Sequence, residues 1–286
     1  MNTYSLVIPT YNGERYIEQT LLSGFNQQRP FDEIIVSDDN STDRTLAICE
    51  KYKAKIKLFK NENGPSGFVN GWNYAIAKAT GDYISILHQD DLLDQSFLLE
   101  MAEISSENPD VLHFFSTCNY IDEKGNITGV SFPTTNEVIR YSGLEYVKAY
   151  QNLGNPHIHR VPGVITHRSI FEKMQYNPAA GHIADDDFFY RVGMFTDVIG
   201  LIKPLASYRL HNQSETGHLN NKQLLLRLAN DNLFQVQQWK NSSFLDEESY
   251  HFFVYWAKKD RRRLLISALK TMDVKMFIEG IKIYFK

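Results

Sequence analysis

Adjacent aspartates occur at three places along this chain: Asp38-Asp39, Asp90-Asp91 and Asp185-Asp186-Asp187. Adjacent carboxylates repel, and a fold tolerates them where solvent screens them or where a cation sits between them and something else negative. Asp90 and Asp91 end the apolar run Tyr83-Ile84-Ser85-Ile86-Leu87-His88-Gln89, so a buried strand delivers two charges to one spot. Such a pair suits Mg²⁺ or Mn²⁺, which bridges protein carboxylates to phosphates. The plain alternative is a solvated acidic turn that caps the next helix. Asp39 can accept a hydrogen bond from an imide N–H of the kind uracil and thymine present, and Tyr11 can stack on such a base. The plain alternative there is a turn with a helix cap, for which Asp and Asn are the usual residues. Taken alone, the run 185–187 is most simply a solvated loop.

The elements that would position these groups alternate in type over the first hundred residues. Ser5 to Ile8, Glu33 to Ser37, Lys55 to Phe59 and Tyr83 to Leu87 read as strands. Glu14 to Gln27 has helical spacing, with Ile17, Leu21, Leu22 and Phe25 on one face. Asn40 or Ser41 can cap a helix through Tyr52, Phe68 to Ala79 is helical, and Asp94 can cap a helix from Gln95 to Ser105. Strands separated by helices imply βαβ units, a mostly parallel sheet covered on both faces, and right-handed crossovers. In such a sheet ligands bind beyond the carboxyl ends of the strands. That is where Pro9-Thr10-Tyr11-Asn12, Asp38-Asp39 and Asp90-Asp91 all fall. From about residue 110 the pattern loosens, with strands at Leu112 to Phe115 and Val164 to Thr166, a turn-rich stretch from Asn126 to Asn136 and a loop over 151–163. His157, His159 and Arg160 in that loop read as surface residues, with lining of an acceptor pocket as the alternative. Trp72 reads as core. Beyond roughly 219 the chain turns helical.

The bulk numbers narrow the classes. The 286 residues are 43% hydrophobic and 22% charged, as in a soluble globular protein, and the net charge of −4 argues against a general nucleic-acid binder. Two cysteines, Cys49 and Cys118, make no disulfide framework and suit a reducing cytoplasm. The first residues lack the basic stretch of a signal peptide, and no apolar run reaches the roughly 20 residues needed to span a bilayer. There is no GxxxxGK[ST] loop and no GxGxxG after the first strand, which argues against a nucleotide hydrolase and a dinucleotide-dependent dehydrogenase.

Taken together, Val7-Ile8-Pro9-Thr10-Tyr11-Asn12, Ile35-Val36-Ser37-Asp38-Asp39-Asn40-Ser41-Thr42-Asp43, Gly81-Asp82-Tyr83-Ile84 and His88-Gln89-Asp90-Asp91 resemble glycosyltransferase family 2 over at least residues 4–107. The resemblance continues at Ala184 to Phe189 and at Tyr208-Arg209-Leu210-His211. It implies a GT-A fold, an α/β Rossmann-like sheet with flanking helices, here with a C-terminal helical extension. With the shift to a helical, Leu- and aromatic-rich composition near 215–220, this gives a catalytic domain over 1–218 (a nucleotide half, 1–107, and an acceptor half, 108–218), followed by a helical region over 219–286. Pro9, Thr10, Tyr11, Asn12, Asp39 and Asp90 would bind the nucleotide, with Tyr11 flanking the base and Asp39 recognising it. Asp90 and Asp91 match the acidic metal motif, with His211 near the metal or diphosphate and a divalent cation as cofactor. Asp185 matches the general base. Two departures stand out: His88 occupies the place of the motif's first acid, and Ala184 the place of a glutamate that often precedes the base.

The implied activity is inverting transfer of a sugar from a UDP- or dTDP-sugar to a glycan or lipid-linked saccharide, as in bacterial surface polysaccharide assembly, in the cytoplasm or at the inner face of the membrane. One base with no protein nucleophile suits a single displacement, whereas a glycoside hydrolase needs two carboxylates flanking the bond. A sugar nucleotidyltransferase is the alternative enzyme, but its triphosphate needs a basic Gly-rich first loop, which Pro9 to Arg15 makes poorly. A non-catalytic glycan-binding protein is the third reading, disfavoured by Asp39, Asp90, Asp91 and Asp185 together. In the C-terminal region, Phe252, Phe253, Tyr255 and Trp256 precede Lys258-Lys259-Asp260-Arg261-Arg262-Arg263. Two uses fit that composition: docking on an anionic membrane surface, or packing on the catalytic domain or a second subunit.

Overall fold

A computed structural model describes residues 2–151, 158–212 and 221–284. The elements run β1 (Tyr4–Thr10), α1 (Ile17–Phe25), β2 (Glu33–Asp38), α2 (Thr45–Glu50), β3 (Lys57–Lys60), α3 (Phe68–Ile76), β4 (Tyr83–Ile86), β5 (Leu92–Leu93) and α4 (Phe97–Glu107). They continue with β6 (His113–Ile121), β7 (Ile127–Val130), β8 (Val138–Tyr141), α5 (Gly143–Tyr150), β9 (Val164–His167), α6 (Arg168–Lys173), a 3-10 turn (Pro178–Ile183), α7 (Ala184–Val192), β10 (Val198–Arg209), α8 (Asn221–Trp239), α9 (Glu247–Lys270) and α10 (Val274–Tyr284). The chain divides into two compact units: Met1–Tyr176 with Arg191–Leu210, and Asn177–Tyr190 with His211–Lys286.

The first unit is built on one sheet in the order β3-β2-β1-β4-β9-β6-β10-β5, with β7 beside β6 and β8 beside β10. The parallel expectation holds where the βαβ pattern was clear: β3, β2, β1 and β4 pair in parallel, and so do β6 and β10. β9 runs antiparallel between β4 and β6 and joins the two parallel halves. The core holds Leu6, Ile8, Val36, Leu87, Phe97, Phe114, Ile165 and Ile199, all buried. Continuous burial along β1 and β2 explains why those strands read as unbroken apolar runs rather than alternating ones. Cys49 and Cys118 are buried free thiols, which burial pushes up to about 12 and about 11.

Several local expectations are corrected. Neither Asn40 nor Ser41 caps α2, which begins only at Thr45. There Asp43 Oδ1 accepts the Thr45 N–H, because the residues before it are bonded to the first loop. Asp94 does not cap α4 directly; it accepts from the N–H and hydroxyl of Ser96, one turn-residue ahead of Phe97. The turn-rich stretch after Asn126 contains β7, whose pairing with β6 makes a hairpin.

The second unit is helical. Ala229 of α8, Leu264 and Ala268 of α9, and Met276 and Ile283 of α10 form its small core. Asp246 caps α9 by accepting the Ser249 N–H. Among the described residues no helix is long and apolar enough to cross a membrane.

Candidate active site

Register places the acidic groups of the first unit on one edge. Thr10 lies opposite Asp38, Asp38 opposite Lys60, and Val7 opposite Ile86. The chain leaves β1 toward β2 on one side, while β4 lies on the other. The strand order therefore reverses at β1, which is where a doubly wound sheet opens a crevice.

Hydrogen bonds stitch the loops on this edge together. The Asn12 N–H donates to Ser41 Oγ at 2.9 Å and Asn12 Oδ1 accepts the Thr42 N–H at 2.8 Å, with Asn12 at φ 48°, a left-handed angle that Asn tolerates. Gln89 ties the first loop to the turn after β4. Its Oε1 accepts from the Tyr11 N–H and the Thr10 hydroxyl, and its Nε2 donates to the Tyr11 carbonyl. A Cβ at Gly13 would collide with the Gln89 amide oxygen, so a side chain there would displace the Gln89 side chain from these bonds. Tyr11 itself is 42% exposed, its ring available to stack. Sequence reasoning passed over Gln89; its place between the expected acids was the only signal.

Asp39 is buried and its carboxylate accepts from Asn61 Nδ2 at 2.7 Å, from the Ser66 N–H at 2.7 Å and from the Ser66 hydroxyl. It therefore holds the loop between β3 and α3 against the end of β2. Pro9 lies within β1, and its buried neighbour Thr10 ends the strand.

The two acids after β4 differ sharply. Asp90 is half-buried, whereas Asp91 is 1% exposed. Asp91 Oδ1 accepts the main-chain N–H of Arg209 at 2.8 Å. Burial, with the Asp90 charge beside it, pushes the Asp91 carboxyl well above the usual carboxylate range. His88 stacks on Trp72 with ring centroids 4.7 Å apart, and burial lowers its imidazolium pKa, which favours the neutral ring. Its Nδ1 lies 3.8 Å from Asp91 Oδ2, too far for a hydrogen bond. Trp72, expected as core, is half-buried and forms one wall of this turn.

Arg209 is the last residue of β10. It is 1% exposed, and its guanidinium donates to the carbonyls of Asp90 and Asp122 and to Gln19 Oε1, over the ring of Tyr16. It is a buried tie between α1, the acidic turn, the β6–β7 hairpin and β10. Thr20 adds to the tie, its hydroxyl meeting the carbonyls of Gln89 and Asp91.

Three buried polar atoms on this edge have no hydrogen-bond partner: Asp38 Oδ1, His88 Nε2 and Asp91 Oδ2. Orphans of this kind are costly, and a polar, charged ligand beyond the strand ends would satisfy them. Among the described residues no three His, Cys, Asp or Glu side chains converge to hold a metal on their own. Mg²⁺-type sites use one or two carboxylates plus substrate phosphates, and this edge offers that donor set.

The expected base falls in the second unit. Asp185, Asp186 and Asp187 occupy the first turn of α7, where the helix dipole favours negative charge. Asp187 is fully buried, and its Oδ1 accepts from Gln235 Nε2 at 3.1 Å and Gln238 Nε2 at 2.6 Å. It anchors α7 to α8. Asp185 and Asp186 are half-buried. One turn earlier, Gly181 at φ 62° packs against Asp231 of α8, whose Oδ2 lies 3.3 Å from the His182 N–H. His211 also belongs to the second unit, two residues past β10.

His157 lies outside the described residues. His159, expected at the surface, is fully buried: its ring stacks on Phe115 with centroids 4.5 Å apart and its Nε2 pairs with the Tyr146 hydroxyl at 2.7 Å. Aromatic neighbours from β6, more than forty residues back, and from the nearer α5 make it core. Arg160 is half-buried and reaches the Tyr120 hydroxyl at 3.3 Å.

The chain thus has a doubly wound α/β sheet whose switch point gathers an exposed tyrosine and several carboxylates, the place where such sheets hold their ligands. The glycosyl transferase family 2 model matches residues 5–175, and the chain belongs to that family. It is 36% identical over 117 residues to the poly(ribitol-phosphate) β-N-acetylglucosaminyltransferase TarS of Staphylococcus aureus, a match covering 39% of this chain and 20% of TarS. It is 31% identical over 131 residues to the GalNAc(5)-diNAcBac-PP-undecaprenol β-1,3-glucosyltransferase of Campylobacter jejuni, covering 45% of this chain and 41% of that protein. The chain thus matches less than half the length of these relatives. The fold is shared with residues 1–349 of S. aureus TarS, crystallised with UDP-GlcNAc, at a TM-score of 0.62 and 17% identity over 99% of this chain and 91% of that one. It is also shared with a Pyrobaculum calidifontis mannosyltransferase in complex with GDP-Man and Mn²⁺, at a TM-score of 0.63 and 15% identity over 99% of this chain and 74% of that one.

Proposed function

We propose that this protein transfers a sugar, with inversion, from a UDP- or dTDP-sugar to a hydroxyl of a glycan or lipid-linked saccharide, in the assembly of a surface polysaccharide. The observation that carries the reading is the convergence of the Tyr11, Asp39 and Asp90 loops on one strand-end edge that also holds the orphaned polar atoms. Tyr11 stacks on the base, Asp39 accepts its imide N–H, and Pro9, Thr10 and Asn12 shape the loop around the nucleoside. Support for the donor class comes from TarS, whose structure was determined with UDP-GlcNAc. The acceptor class follows the lipid-linked and polymeric acceptors in the names of the relatives.

Asp90 is the carboxylate we assign to a divalent cation, with Asp91 as the buried anchor of the turn. That division follows from the Arg209 N–H on Asp91 Oδ1 and from the greater exposure of Asp90. The Mn²⁺ in the mannosyltransferase complex supports the choice of ion. When bound, the cation supplies charge neutralisation at the leaving diphosphate. Asp185 takes the proton from the incoming hydroxyl, and Asp187, held by two glutamines, keeps α7 in place.

A panel of UDP-, dTDP- and GDP-sugars, read by release of the nucleoside diphosphate, tests the reaction. Turnover with a UDP- or dTDP-sugar is expected. Asp185→Asn should lower that turnover by about 10²- to 10⁴-fold, the usual weight of a general base, while leaving UDP affinity intact. Full activity in Asp185→Asn would remove Asp185 from the mechanism.

A further inference from the structure

The last helix has two apolar sides, and the protein covers one of them. Met276 and Ile283 of α10 pack with Leu264, Ala268 and Ala229, and Gly280 lies so close to Leu265 that a Cβ would meet its Cδ2 at 2.7 Å. On the other side Val274, Ile278 and Ile281 recur at i, i+4 and i+7, the spacing of one helix face, and all three are exposed, Val274 by 69%. Just before α10, Leu269 is 64% and Met272 89% exposed. Single exposed apolar residues are ordinary, but a helix face and its preceding turn built from them are not.

Charge says what covers this face. Between residues 258 and 284 stand eight lysines and arginines and three acids, in a protein whose net charge is −4. The three acids are all engaged: Asp260 is buried and bonds Asn232 and Arg263, Asp273 accepts the Met276 N–H, and Glu279 pairs with Lys282 at 3.1 Å. Lys275 and Lys282, seven residues apart, lie along one flank of the exposed stripe. An isologous contact with a second copy would bring these cations face to face. A nucleic acid would satisfy the cations but leave the Val, Ile, Leu and Met side chains without a partner. A bilayer with anionic headgroups meets both needs, and a helix with this distribution lies in the interface plane without spanning it.

We propose that the Leu269–Met272 turn and the Val274/Ile278/Ile281 face of α10 form a docking surface for an anionic phospholipid membrane. The inference stands on this face alone and does not need the transferase reading, although it would hold such an enzyme beside a lipid-linked acceptor.

Co-sedimentation of the full chain with phosphatidylglycerol–phosphatidylcholine vesicles tests it. Binding should exceed that to pure phosphatidylcholine and weaken with salt. Lys275→Gln with Lys282→Gln should lower partitioning by about tenfold to thirtyfold, since each basic residue near an anionic surface contributes about a fivefold factor. Val274→Ser with Ile278→Ser should reduce it comparably. Both pairs change exposed side chains, so thermal unfolding should match the parent, and the lysine pair decides the matter if the apolar pair proves unstable. No preference for the anionic vesicles, or partitioning unchanged in the lysine pair, overturns the proposal. So does light scattering that shows a dimer which Val274→Ser with Ile278→Ser converts to monomer, because a second copy would then own the face.

Discussion

The strand-end loops of the first unit and the acidic helix of the second are held in opposite ways. In the first unit, short loops leave the ends of neighbouring strands and bond to one another, as Asn12 does with Ser41 and Thr42 and Gln89 with Tyr11. Their positions follow from the sheet. The acidic segment has no such frame. Asp187 is fixed by Gln235 and Gln238, and the turn before it meets Asp231, all from a helix some fifty residues further along the chain. A frame of paired strands needs only correct register. A segment held by a distant helix depends on how well that helix packs, so the two regions should fail differently.

The largest expected effect sharpens the first half of this contrast. Arg209→Met removes a guanidinium that bonds the Asp90 carbonyl, the Asp122 carbonyl and Gln19 Oε1, and a buried acceptor left without a partner costs about 1–3 kcal/mol. Unfolding in urea should show a loss of about 3 kcal/mol, accompanied by weaker nucleotide binding. Unchanged stability would mean the edge is not organised through this residue.

Asp231 probes the other half. Burial raises its carboxyl to about 7, against the opposing pull of the His182 N–H and Arg227. The raised value means the folded state holds the proton more tightly than the unfolded one. The stability this contributes is complete below about pH 4 and is lost as pH rises through about 7. Asp231→Asn, which has no charge to bury, should match the parent at pH 4 and exceed it at pH 8 by about 2 kcal/mol, a figure discounted from the roughly 4 kcal/mol that three pKa units represent. A parent-to-variant difference independent of pH would show that Asp231 ionises without cost.

Gln235→Leu with Gln238→Leu strips the donors from Asp187 and leaves a buried carboxylate with fewer partners. Turnover should fall about tenfold at constant UDP affinity, and Gln238→Asn alone should fall less. Equal losses in turnover and UDP affinity would break the division between the two regions.

Gln89→Leu tests the loop contacts of the first unit. Loss of the bonds to Tyr11 and Thr10 should raise the dissociation constant for UDP by about tenfold, the worth of one to two net hydrogen bonds, with turnover at saturating donor changed less. Calorimetry and initial rates separate the two.

Much of this was legible in the order of residues. Apolar runs ended by Pro9-Thr10-Tyr11-Asn12, Asp38-Asp39 and Asp90-Asp91 determined a parallel arrangement with three polar loops on one edge, because hydrophobic periodicity and strand-end chemistry are local properties. The tertiary structure alone decided which acids face outward. Asp91 is turned inward by the backbone of Arg209, 118 residues away, and Asp187 by two glutamines of α8. It also decided that His159 is core, through stacking on Phe115 and Tyr146. The anchoring of Asp91 and Asp187 and the Phe115 stack all rest on contacts between residues distant in sequence. A run of aspartates states how much charge must be accommodated, and only packing determines which carboxylate is buried as an anchor and which is left to meet a ligand.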